Sequence, residues 1–218
     1  MNILDGLAEQ CRGRGVCLLI DAVSSFAGEE IAFDRWAPLA VAATANKCLH
    51  GAPGAAFVLA DRAALDRGDS QANSLYLDLI NYNREQRDGG SPFTQAVHVF
   101  NAMGEALAEL ADQGGWRSRR QRYLELSQQL RQCLVRLGVE PLIPLDQSAS
   151  MMTSFRLPAG LTYAELHSVL KAHGFIIYAG QGVLASEIFR IALMGAISDA
   201  DFTRLLSVLG QAIAKSKA

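Results

Sequence analysis

Three short, unbroken apolar runs constrain this chain more than any other feature: VCLLIDAV at 16–23, LAVAATA at 39–45 and AAFVLAD at 55–61. Each is bounded too closely for a long helix and is too evenly apolar for a strand with one wet face. Runs of this kind are strands covered on both sides, as in parallel sheets flanked by helices. Ahead of the first, ILDGLAEQCR (3–12) spaces its apolar groups like a short amphipathic helix, which completes an α/β pattern. Residues 68–92 are polar, end in DGGSP and read as a long loop. Residues 93–112 read as a helix, closed by Gly114 and Gly115.

A second unit follows. Residues 116–137 form a charged amphipathic helix ended by Gly138, and MMTSFRLP is a strand. Thr162 caps a helix that runs to His173 and stops at Gly174. FIIYAG and FRIALMG are strands, and Ser198 caps the last helix, with Asp199 and Asp201 favouring its dipole. The expected fold is α/β: a partial, mostly parallel large-domain sheet in 1–113 and a small α+β domain in 114–218.

Composition narrows the function classes. The net charge is −2 and no long basic run exists, so neither nucleic acid nor an anionic membrane is the expected partner. No apolar run reaches the roughly 18 residues that span a bilayer. The start, MNILDGLAEQCRGRG, lacks the apolar core of a signal peptide, so the expected compartment is the cytoplasm. Cys11, Cys17, Cys48 and Cys133 form no C-x-x-C pair and read as reduced, packing thiols. His167 and His173 do not share a helix face, and His50 and His98 lack ligand neighbours, so no metal site is expected. G-x-S-x-G is absent, which argues against a serine hydrolase. RSRRQRY (117–123) reads as a solvated helix face, and Tyr178 as core. Gly180 and Gly182 in YAGQG fit a tight turn, at a substrate entrance or simply in the scaffold.

The chemistry concentrates at two positions. Asp21 ends the first buried run, where open parallel sheets face their ligand crevice. A carboxylate there needs compensation. Lys47 stands just past the second run, where a lysine at a crevice can attack a carbonyl. Such a pair suits pyridoxal phosphate: the lysine joins the aldehyde, and the acid keeps the pyridine nitrogen protonated. Strand-end acids and exposed lysines are also ordinary, so spacing alone leaves both readings open.

The words themselves go further. DAVSSF (21–26), NKCLHGAPG (46–54) and FRIALMG (189–195), in this order along the chain, resemble the 2-aminoethylphosphonate–pyruvate transaminases, class V aminotransferases of the fold-type-I pyridoxal-phosphate architecture. The resemblance implies a homodimer that moves the amino group of 2-aminoethylphosphonate to pyruvate, giving phosphonoacetaldehyde and alanine. It implies that Asp21 pairs with the pyridine nitrogen and that Lys47 holds the cofactor and shuttles the proton. Arg190 would grip the substrate carboxylate, which a planar fork suits better than a lysine. Ser24 and Thr44 would add cofactor contacts, and Thr94 would reach the cofactor phosphate of the partner subunit. Three positions depart from the pattern: Ala27 and Ala192 replace glycines, and His50 replaces an acid.

The resemblance also implies a preceding part, with the glycine-rich phosphate cup and the aromatic residue that stacks on the ring. On this reading the chain is the carboxyl-terminal part of a transaminase. The expected explanations are a misplaced or truncated gene start, a separate amino-terminal polypeptide, or a non-catalytic remnant. Another class V transaminase, of the alanine or serine–glyoxylate type, is the alternative within the enzymes. The chain alone is expected to expose apolar sheet edges and to be poorly soluble.

Overall fold

The three apolar runs meet in one sheet of order β1-β2-β3. A computed structural model of the chain describes residues 4–215, in two units: 4–26 with 31–109, and 27–30 with 110–215. The amino-terminal unit holds α1 (Leu4–Gly13), β1 (Leu19–Asp21), α2 (Phe33–Trp36), β2 (Ala40–Thr44), β3 (Ala56–Ala60), α3 (Arg62–Asp66), α4 (Leu79–Arg87) and most of α5 (Val97–Asp112). β1 and β2 are parallel, with Leu19 opposite Ala40 and Asp21 opposite Ala42. β2 and β3 are antiparallel. The connections explain the difference. The chain crosses over through α2 between the first two strands, whereas residues 45–55 turn straight back into β3.

None of the three strands is covered on both faces as expected: on the central strand Val41 and Ala43 are buried but Ala42 between them is exposed, Leu19 on β1 is 67% exposed, and Val58 and Leu59 on β3 are exposed too. Helices cover the sheet in part. Ala8 of α1, Leu18, Ala32 and Trp36 form a buried cluster flanked by Leu4, Cys11, Ile20 and Ile31. Asp5 locks α1 to α2 by accepting from Trp36 Nε1 at 2.7 Å and Arg35 Nη1 at 3.0 Å.

Residues 68–92 are not wholly irregular. Asp78 accepts the amides of Ile80 and Asn81 and so caps α4, a helix start that the polar composition concealed. The next helix begins at Val97 rather than 93, because Ser91 Oγ and Gln95 Nε2 both donate to the Phe93 carbonyl and hold the segment in turns.

The carboxyl-terminal unit holds α6 (Gly115–Arg136), β4 (Met152–Arg156), α7 (Tyr163–Ala172), β5 (Tyr178–Ala179), β6 (Ile188–Ala192) and α8 (Asp199–Lys215). Its antiparallel sheet runs β4-β6-β5, and Phe155 faces Phe189 across it with ring centroids 5.5 Å apart. Leu130, Leu134, Leu166, Leu170 and Leu209 are buried on the three helices that accompany the sheet. Thr162 and Glu165 form a reciprocal capping box on α7. Ser198 Oγ accepts the amide of Asp201 at the start of α8.

Two expectations fail here. The basic run is a solvated face only in part: Arg117, Ser118 and Gln121 are exposed, but Arg119 is buried and donates to Gln113 Oε1, Arg120 pairs with Glu29, and Arg122 pairs with Asp199. The acids that engage Arg120 and Arg122 lie far along the chain. Tyr178 is 57% exposed, because β5 is a two-residue edge strand and leaves its outer flank open. Among the described residues no helix is long and apolar enough to cross a membrane.

Candidate functional site

The parallel pairing of β1 and β2 brings two loops to one end of the sheet. Asp21 is the last residue of β1, is exposed, and accepts the Val23 amide at 2.9 Å. The chain then closes a helical turn, in which the amides of Ser25 and Phe26 donate to the Ala22 carbonyl at 3.1 and 2.9 Å. Phe26 packs edge-on against Phe57 of β3, with centroids 5.0 Å apart. The carboxylate therefore projects from a turn anchored to the sheet.

Lys47 follows β2 in a second tight turn. Ala45 donates to the Ala55 carbonyl, Gly51 donates to the Ala45 carbonyl at 2.7 Å, and His50 donates to the Lys47 carbonyl at 3.0 Å. Gly51 is needed for this closure: a Cβ there would stand 3.0 Å from Ala45 Cβ and 3.1 Å from its carbonyl oxygen. Cys48 and Leu49 are fully buried and anchor the turn, leaving Lys47 half-buried. Cys48 Sγ donates to the Ser24 carbonyl at 3.2 Å, so the two turns are tied to each other. Ser24 itself is exposed.

Asp21, Ser24, Thr44 and Lys47 thus share the carboxyl end of the β1–β2 pair. The Thr44 hydroxyl, on the last residue of β2, is buried and has no hydrogen-bond partner among the described residues. A buried hydroxyl without a partner costs about 1–3 kcal/mol. It is therefore a group that a bound acceptor or donor would satisfy. Thr94 is exposed, in the turns ahead of α5, and is not part of this group.

Arg190 belongs to the carboxyl-terminal unit. It lies on β6, opposite Ser154 of β4 and Tyr178 of β5. Its Nε donates to the Ala179 carbonyl at 2.7 Å, which fixes the guanidinium plane. The terminal amino groups carry the remaining donors, in the fork that suits a carboxylate.

Two departures from the resembled pattern sit at strained backbone. Ala27 has φ +67° and His50 has φ +68°, the left-handed region that glycine enters freely and other residues enter at a cost of about 1–2 kcal/mol. That conformation is the physical reason a glycine suits position 27. Gly180 is required more strictly, since a Cβ there would lie 2.2 Å from the Leu184 carbonyl oxygen.

Sequence reading missed Glu29. Its side chain is 2% exposed, and the carboxylate accepts from Arg120 Nε at 2.8 Å and from the Ser150 amide at 2.6 Å. Nothing in FAGEE separates this acid from a solvated one, because both partners lie far along the chain. Arg131 was missed as well: it donates to the Ile143 carbonyl and to Ser148 Oγ in the segment beyond α6, and burial pulls its guanidinium below the usual arginine value.

An amine, a carboxylate and an unsatisfied hydroxyl at the end of one parallel strand pair can hold and protonate a small polar group. Comparison with known proteins gives the family. The family model for aminotransferase class-V matches residues 1–203. The 2-aminoethylphosphonate–pyruvate transaminase of Aeromonas hydrophila is 37% identical over 216 residues, 97% of this chain and 57% of that protein. The enzyme of that name from Bacillus cytotoxicus is 34% identical, over 97% of this chain and 60% of its own. The chain thus spans about three fifths of the length of these relatives. Among solved structures, an alanine–glyoxylate aminotransferase from Nostoc sp. superposes with a TM-score of 0.84 at 26% identity, over 96% of this chain and 57% of that one. A pyridoxamine–pyruvate aminotransferase from Mesorhizobium loti gives 0.90 at 23% identity, over 100% of this chain and 57% of its own, a likeness of fold alone.

Proposed function

Because the chain belongs to the class-V aminotransferases, we propose that it carries the lysine, acid and arginine of a pyridoxal-phosphate transaminase. The reaction would move the amino group of 2-aminoethylphosphonate to pyruvate, giving phosphonoacetaldehyde and L-alanine; the names of its relatives support that choice of substrates. The observation that carries the reading is the parallel pairing of β1 and β2, which sets Asp21 and Lys47 at the same strand ends.

The residues fit the cofactor. The unsatisfied Thr44 hydroxyl, the exposed Asp21 carboxylate and the half-buried Lys47 amine form a donor set for a heteroaromatic aldehyde. Pyridoxal phosphate, when bound, supplies an aldehyde that amines join and a ring that takes up electron density. Asp21 would keep a proton on the ring nitrogen, which an anchored carboxylate does by favouring the charged form. Lys47 Nζ would hold the aldehyde carbon and then carry a proton to and from the substrate carbon. Ser24 and Thr44 would orient the cofactor. Arg190 would bind the pyruvate carboxylate with its terminal amino groups.

The reading extends to organisation. Residues 1–113 would be the cofactor-binding part and 114–218 the small domain. A cytoplasmic setting is part of the same reading; Cys11, Cys17, Cys48 and Cys133 form no C-x-x-C pair. A homodimer, with Thr94 reaching the partner's cofactor, is supported by the exposure of Thr94 and of Leu75, Tyr76 and Leu77. The rest of the relatives' length, in the same or a separate polypeptide, would supply the phosphate contacts and cover exposed Leu19, Val58 and Leu59.

The test is alanine formation from pyruvate with 2-aminoethylphosphonate and added pyridoxal phosphate, with glyoxylate run in parallel. Faster use of pyruvate supports the proposal. Preference for glyoxylate would move the chain to the alanine–glyoxylate type. Amino transfer to neither would overturn the catalytic reading.

A further inference from the structure

Residues 27–30 are grouped with the carboxyl-terminal unit, although 4–26 before them and 31–109 after them are not. So short a segment needs a specific anchor, and Glu29 provides it. Its buried carboxylate accepts from Arg120 Nε of α6 and from the Ser150 amide, while Ser150 Oγ donates to the Gly28 carbonyl at 3.3 Å. Ser150 is itself buried and lies just ahead of β4. The adjoining Met151 carbonyl accepts the Leu193 amide at 2.7 Å, and β4 pairs with β6, which carries Arg190. On the other side, only the closed turn 22–26 separates Ala27 from Asp21. Ala27 holds a left-handed φ of +67°, strain that persists only where the surroundings enforce it.

Resting on the function proposed above, we propose that Glu29 is a positioning residue that links the Arg190-bearing sheet to the Asp21 turn, so that a carboxylate held at Arg190 alters cofactor binding at Asp21 and Lys47. The path is covalent from Asp21 to Glu29, then runs through charge-assisted hydrogen bonds to Ser150, then through backbone pairing to β6. Glu29 touches no substrate; it acts through the turn.

The variant to make is Glu29→Gln. An amide keeps an acceptor for the Ser150 N–H but gives up the charge, and Arg120, with 39% of its side chain exposed, can turn to water. Arg120→Gln is the companion that leaves Glu29 in place. The first readout is amide hydrogen exchange, with no ligand present. In both variants exchange at 22–30 accelerates at least about tenfold, the signature of local opening, while α7 and α8 keep their protection. Unchanged exchange at 22–30, or an equal rise across the carboxyl-terminal unit, would overturn the positioning role. The second readout is the dissociation constant of pyridoxal phosphate with and without saturating pyruvate. The native chain shows a several-fold ratio and Glu29→Gln brings it to about one, as a lost coupling requires. A ratio that survives the substitution, or a ratio of one in a native chain that binds cofactor, would overturn the coupling. Failure of the native chain to bind cofactor would count against the proposed function and the coupling drawn from it, while the exchange result still decides the anchor.

Discussion

Asp21 and Lys47 stand at the same end of one sheet because the strands that lead to them, β1 and β2, run parallel with Asp21 opposite Ala42. Their turns are further joined where Cys48 Sγ donates to the Ser24 carbonyl. Neither residue is placed by its neighbours in sequence alone; the pairing of two strands places both.

The first prediction concerns Lys47. Borohydride reduction in the presence of pyridoxal phosphate should leave a phosphopyridoxyl group, the cofactor less the oxygen lost as water, on the peptide containing Lys47, and Lys47→Ala should abolish that addition. Labelling at other lysines with none at Lys47 would remove the lysine from its proposed role. Peptide mass spectrometry reads this without any turnover.

Arg190→Lys should weaken pyruvate use by about 10–100-fold in kcat/KM, the effect of exchanging a bidentate fork for a point charge. Cofactor affinity should change far less, since the proposed cofactor contacts are Asp21, Ser24, Thr44 and Lys47. Equal losses in both would mean that its bond to the Ala179 carbonyl is what matters.

Gly180→Ala should be among the most damaging single substitutions. Its Cβ would meet the Leu184 carbonyl carbon at 2.6 Å and Ile188 Cγ1 at 2.7 Å, so backbone must move. Overpacking of this kind costs about 1–3 kcal/mol or more. Thermal unfolding of the variant checks it, and an unchanged midpoint would show that the turn 180–184 relaxes freely.

The capping box on α7 predicts a pH dependence. Hydrogen bonds from the Thr162 hydroxyl and amide hold the Glu165 carboxyl below its ordinary value. A carboxyl lowered on folding contributes stability that is fully present above its unfolded value and is lost as pH falls through the folded one. Protection of the first turn of α7 should therefore fall below the ordinary carboxylate range, and Thr162→Ala, which removes the hydroxyl bond but keeps the amide one, should weaken that pH response. A carbon-detected titration of Glu165 reads the shift directly.

Much of this was written in the chain's local pattern. The apolar runs give the strands, Thr162 and Ser198 give the starts of α7 and α8, and the words around Asp21, Lys47 and Arg190 give the family, since each depends on residues close in sequence. Contacts between distant residues decided the rest. The reversal of β3, the exposure of Leu19 and the engagement of Arg120 and Arg122 follow from which partners folding supplies. Glu29 marks the boundary most clearly. In sequence it is one of two adjacent acids, and its burial follows from Arg120 and Ser150, which only the tertiary structure brings to it. A buried carboxylate survives only where such partners repay its lost hydration, and no local pattern encodes a partner about a hundred residues away.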